Sequence, residues 1–281
     1  MAGMTVTDLR PPALRADARS LARVAAAVLV CGAAVLMFAV HVRPLAYLPL
    51  AAGVALGLAV DRRLGRDLGL IALGQVIISA ISLEADLSDA GMLRFTVALS
   101  LAVLVPTLIS RRVFRDPTIT FPIGTGQRWS RTMWIYLAVV IAVAYLLLPY
   151  YFISSGAYLN WPTLDGGGDI ARLFVGVNAV GLWDELFFIC VVFAMLRRHF
   201  PMPLANVLQA IVFVSFLWEL GYREWGPALT IPFALVQGWI FARTKSLPYV
   251  VAVHLLFDAI VFAVLVHAHH PDLFDVFVTA P

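Results

Sequence analysis

What most constrains this chain is a succession of long apolar runs, each close to the length a helix needs to cross hydrocarbon, separated by short stretches that carry arginine. Hydrocarbon offers a backbone no hydrogen-bond partners. Runs of this kind therefore fold as helices that satisfy their own N–H and C=O groups. They read as 21–42, 45–60, 68–83, 91–109, 133–153, 170–196, 204–220, 227–242 and 247–268, about nine spans in all. With 62% of 281 residues hydrophobic and 13% charged, the composition agrees. It predicts an all-α, polytopic integral membrane helical bundle. A cytoplasmic tail over 1–20 is expected to precede a single transmembrane domain over 21–281, with membrane lipid as its constant partner.

Charge orients the bundle. Arg10, Arg15 and Arg19, then Arg62, Arg63 and Arg66, then Arg111, Arg112, Arg115, Arg128 and Arg131, and finally Arg197 and Arg198 fall on one side when the spans alternate. Glu84, Asp86 and Asp89 fall on the other. The positive-inside rule then predicts a cytoplasmic N-terminus and an outward C-terminus, in a multi-pass protein of a cell membrane, expected to be the bacterial plasma membrane. The net charge of +3 comes from these arginines at span ends, which is topology and not a nucleic-acid patch. Cys31 and Cys190 lie inside apolar runs and predict neither a disulfide framework nor a cysteine metal site. The Gly-Thr-Gly at 124–126 lacks the Gly-Lys-Ser/Thr of a P-loop and reads as a turn. Trp161, Trp218, Trp225 and Trp239 stand near span ends and read as interfacial anchors, and the histidines 267, 269 and 270 as a solvated edge.

Five ionisable residues interrupt the last third of the apolar pattern. They are Asp184 and Glu185 in GLWDELFFICVVFA, Glu219 in FVSFLWELG, and His254 with Asp258 in VVAVHLLFDAIVF. Charge in hydrocarbon is costly and marks a protein or water interior, so the group predicts one functional cavity. His254 and Asp258 are spaced i,i+4 and share a helix face, whereas Asp184 and Glu185 are separated by about 100° of helix rotation. At about 1.5 Å per residue, Asp184 lies roughly 18 Å from the cytoplasmic arginines and can meet Asp258 near the midplane. Glu219 lies deeper, roughly 24 Å along its own span, with Arg223 four residues on.

The same residues resemble the CAAX-protease and bacteriocin-processing (Abi) family of intramembrane endopeptidases, with its motifs EExxxR, FxxxH and HxxxN or HxxxD, over about 175–264. His254 and Asp258 fit HxxxD, and Gly238, Arg243, Thr244, Ser246 and Leu247 are similar to its lead-in. Asp184-Glu185 resembles the first motif, with Ile189 in the arginine position, and Ser215 and Glu219 stand where the second has Phe and His. The resemblance implies hydrolysis of a peptide bond in a peptide or lipidated protein by carboxylate-activated water. Asp184 would be the base, Glu185 its neighbour, Glu219 the partner in the histidine's place, and His254 with Asp258 the oxyanion side. Clustered anions need a proton or a cation, and carboxylates plus one histidine can ligate a divalent metal such as zinc, although no HExxH pattern occurs. Two other functions stay open on the sequence: a catalytically inactive scaffold or partner-binding protein, and a proton-coupled transporter.

Overall fold

The structure is a computed structural model that describes residues 17–124 and 128–281. Most of the expected N-terminal tail (1–16), and all but the first residue of the Gly-Thr-Gly turn, lie outside the described residues. Among the described residues, nine long helices follow one another: α1 Ala18–Ala39, α2 Arg43–Val60, α3 Arg62–Ser79, α4 Asp89–Val113, α5 Arg131–Ser154, α6 Gly167–Arg197, α7 Met202–Leu220, α8 Pro227–Thr244 and α9 Leu247–His269. Seven of these are long and apolar enough to cross a membrane. The two that fall short are α3 and α8. Asp61 accepts from the backbone N–H groups of Arg63 and Leu64 and starts α3 at Arg62, so the basic residues expected in a loop form its first turns. The capping interaction recurs at Ser88, which accepts from Gly91, and at Ser130, which accepts from Met133.

Helices α1, α2 and α3 form a meander in which each packs on the next, and α7 lies against α1 on one side and α8 on the other. Helix α9 packs on α5 and α6. The α2–α3 turn is tight. A Cβ at Gly65 would stand 2.4 Å from the backbone N of Leu58, so only glycine lets the two helices close there. The most buried spans are α6 and α7, and Asp184 and Glu185 of α6 lie inside the bundle.

The two ends of the bundle are knitted differently. At the arginine-bearing end, Arg198 contacts Asp67 at 3.1 Å and Asp116 at 2.8 Å, His199 Nε2 reaches Asp67 at 2.7 Å, and Arg23 bridges towards His199 and Asp61. At the far end, Tyr151, Phe152, Trp161, Tyr222 and Trp225 form an aromatic cluster. Trp161, expected to be an interfacial anchor, is buried in it because Gly221 lets its indole edge come within contact distance of the backbone. Trp225 and Trp239 are exposed, as anchors would be.

Candidate active site

Local helix geometry sets up the first motif. Asp184 ends the α-helical part of α6, and Glu185–Phe193 winds as a π-helix. Such wide turns occur mostly where a function needs side chains re-aimed. Here two consecutive carboxylates reach opposite edges of one imidazole. Glu185 Oε1 lies 2.7 Å from His254 Nδ1, and Asp184 Oδ2 lies 3.6 Å from His254 Nε2. From one turn further along α9, Asp258 Oδ1 stands 3.9 Å from the same Nε2. An ionised carboxylate only accepts, so Nδ1–H donates to Glu185 and Nε2 is left facing Asp184 and Asp258. The last two separations are too long for direct hydrogen bonds and are of the kind a water bridges.

The supporting residues explain the arrangement. Gln237, from α8, donates to the same Glu185 oxygen at 2.8 Å and to the Val250 carbonyl at 3.1 Å, tying α8 and α9 to the first motif. Phe233 meets the imidazole edge-on at 4.9 Å and Phe213 at 6.1 Å, which fixes the ring plane. A Cβ at Gly181 would fall 1.8 Å from Asp258 Oδ2, so the approach of α9 to α6 depends on that glycine. Gln237, Phe233 and Gly181 were not singled out from sequence. An uncharged amide inside an apolar run was the signal available for Gln237, just as for Asn206 and Gln209, which bond to each other and to the α8 carbonyls of Leu235 and Ala234.

Asp184, His254 and Asp258 line the deep end of a cavity of about 400 Å³ bounded by α4, α6, the ends of α7 and α8, and α9. Its walls are apolar apart from that end, Thr96, Ser100 and Thr230, and the mouth residue Asp86. Asp184 Oδ1, Asp258 Oδ2 and Glu185 Oε2 are buried without a hydrogen-bond partner. Buried acceptors left open beside a cavity are what a site awaiting water and substrate presents. Asp86 accepts from the Ser88 backbone N–H and then from its hydroxyl, and these contacts, with Arg94 nearby, hold its carboxyl below the usual carboxylate range.

Glu219 stands apart from this set, which corrects the expectation that all five residues line one cavity. It is buried on another face of α7, where Oε1 accepts from Arg43 at 2.6 Å and from the backbone N–H of Leu83 at 3.1 Å. The partner in α2 is 176 residues away in sequence, and the contact clamps the far ends of α2 and α7 to the α3–α4 loop. Ile189, in the arginine position of the first motif, is buried close to Glu185 and Gln237, so the donor to Glu185 is an amide from α8 and not a guanidinium from α6.

The donor set does not fit the metal considered from sequence. Among the described residues, no three His, Cys, Asp or Glu side chains group as ligands, and His254 Nδ1 is already taken by Glu185. Two of the C-terminal histidines meet backbone carbonyls: His267 that of Leu273 at 3.1 Å, and His270 that of Leu164 at 2.6 Å.

No curated protein and no solved structure matches the chain. Residues 166–260 match the family model described as type II CAAX prenyl endopeptidase Rce1-like. That stretch holds Asp184, Glu185, Gln237, His254 and Asp258 together, so the residues gathered at the site all fall inside the part of the chain that is similar to this family.

Proposed function

We propose that the protein is an intramembrane endopeptidase that hydrolyses a peptide bond with a water held between Asp184 and His254. The reading rests on one observation: three buried carboxylates converge on a single imidazole at the deep end of an apolar cavity, with acceptor oxygens left open. Asp184 is the general base, because it lines the cavity and its Oδ1 is free. As the water oxygen bonds to the substrate carbonyl carbon, Asp184 takes the water proton. His254, held by Glu185 at Nδ1, donates from Nε2 to the oxyanion that forms, and Asp258 favours the imidazolium needed for that donation. Asp184 then returns its proton to the leaving amine as the carbon–nitrogen bond breaks. Glu219 takes no part in this sequence and serves as a structural clamp.

The substrate is a peptide or a lipid-attached protein, in keeping with the family match. The test is cleavage of a peptide library by membranes carrying the full chain and by Asp184→Ala, Glu185→Ala and His254→Ala. Each variant is expected to lose about 10²–10⁴-fold in rate, the usual range for removing acid–base groups. A parent chain that cleaves nothing in the library while retaining a stably bound protein partner overturns the reading in favour of a scaffold.

A further inference from the structure

The cavity has a direction. All of its loop residues, Ala85, Asp86, Leu87, Trp161 and Tyr222, lie at the end of the bundle opposite the arginines. Along the helices, its lining stops well short of the arginine end. Leu104 is about 14 Å before the end of α4, Leu186 about 17 Å before that of α6, Phe233 about 17 Å before that of α8, and His254 about 11 Å inside the start of α9. Between the catalytic group and the arginine end the interior is filled. Phe187 stacks on Trp183 at 5.1 Å, and Phe188 packs on Phe213 at 4.8 Å and on Phe216 at 5.5 Å, all buried. Beyond them lies the network of Asp67, Arg198, His199 and Asp116.

The cavity also reaches the side of the bundle. Leu104 of α4 and Leu182 of α6 both line it and are 54% and 43% exposed, so a gap runs between these helices from the loops to about the middle of the membrane. At the mouth, Glu84, Asp86 and Asp89 are matched by Arg223, Arg94 and Arg172. The entrance is therefore close to neutral and its walls select for apolar side chains.

From this geometry we infer that the site is loaded from the outer side. Its substrate is an extended apolar segment of a membrane-anchored polypeptide that enters between α4 and α6 from the end away from the arginines, and the attacking water follows the same route. The word substrate rests on the peptidase reading; the direction of entry does not. In sequence terms Asp184 was reachable from the cytoplasm, and the aromatic fill below it closes that path.

The test uses single cysteines in the full chain, in sealed membrane vesicles of known sidedness, with a membrane-impermeant thiol reagent applied to one face at a time. Native Cys31 and Cys190 are fully buried and serve as a silent background. Arg112→Cys, at an exposed position, reports the arginine face. Leu87→Cys, at a half-buried position, and Thr96→Cys, at an exposed one, both line the cavity and are expected to react at least about tenfold faster from the opposite face. Faster labelling of either from the arginine face overturns the inference. Peptide added to the opposite face and cleaved there, with peptide on the arginine face left intact, supports it further. Labelling from the opposite face in a chain that cleaves no peptide supports the entrance and removes the peptidase reading instead.

Discussion

Two buried clusters of carboxylate and histidine lie at different heights in this bundle, and they are balanced in opposite ways. At the arginine end, Asp67 takes Arg198 and His199 while Arg198 also takes Asp116, so each carboxylate is matched by a cation or an imidazole donor and neither oxygen of Asp67 is left open. Nearer the middle, Asp184, Glu185 and Asp258 share one histidine, and each keeps an oxygen without a partner. Both clusters are buried, and both join segments distant in sequence. What separates the brace from the proposed site is the surplus of acceptors and the cavity beside it.

The sharpest way to break the comparison is to exchange the histidines' fates. His254→Ala is expected to lower peptide cleavage by about 10²–10⁴-fold, whereas His199→Ala keeps the rate per folded molecule, measured after normalising for folded protein. Equal losses would erase the distinction. Next in size is Asp67→Ala, which leaves Arg198 and His199 without their shared partner; a loss of about 3 kcal/mol is expected, read as a lowered midpoint of thermal unfolding in detergent. Gly181→Ala comes third. Its methyl meets Asp258 Oδ2, so it is expected to cost about 1–3 kcal/mol and to depress cleavage with it. The smallest effect concerns Asp86 at the mouth. Its folded carboxyl titrates below its unfolded value, so its contribution is present above the unfolded value of about 3.9 and is lost as pH falls through the folded one. Amide protection in the α3–α4 loop, taken relative to the intrinsic exchange rate at each pH, should therefore stay unchanged from neutral pH down to about pH 4 and fall only below it.

Much of the bundle was legible because lipid enforces a simple rule: apolar runs become helices, and most arginines sort to one end. His254 and Asp258 were legible as a pair for the same reason, since i,i+4 spacing fixes a shared face whatever surrounds it. The relation between Asp184 and Glu185 was not, because a 100° separation assumes α geometry and the π-helical turns at Glu185–Phe193 are set by packing. Glu219 was misplaced because α7 is apolar on all sides, leaving periodicity nothing with which to tell one face from another. Its partner Arg43 read as a span boundary. Asp67 was likewise hidden among arginines that seemed to belong to a loop. Trp161 sat where anchors sit, and only the glycine opposite it shows that it turns inward.

Helix lengths carry one more consequence. Helix α6 has 31 residues, about 46 Å at an α-helical rise, against a hydrocarbon core of about 30 Å. Helix α8 has 18 residues, about 27 Å, and the Arg243 guanidinium lies 5.2 Å over the ring of Trp239, which ties its lower end to the headgroup level. Stood upright the two cannot match one bilayer thickness, so α6 needs a tilt, or ends that reach beyond the hydrocarbon, that α8 does not.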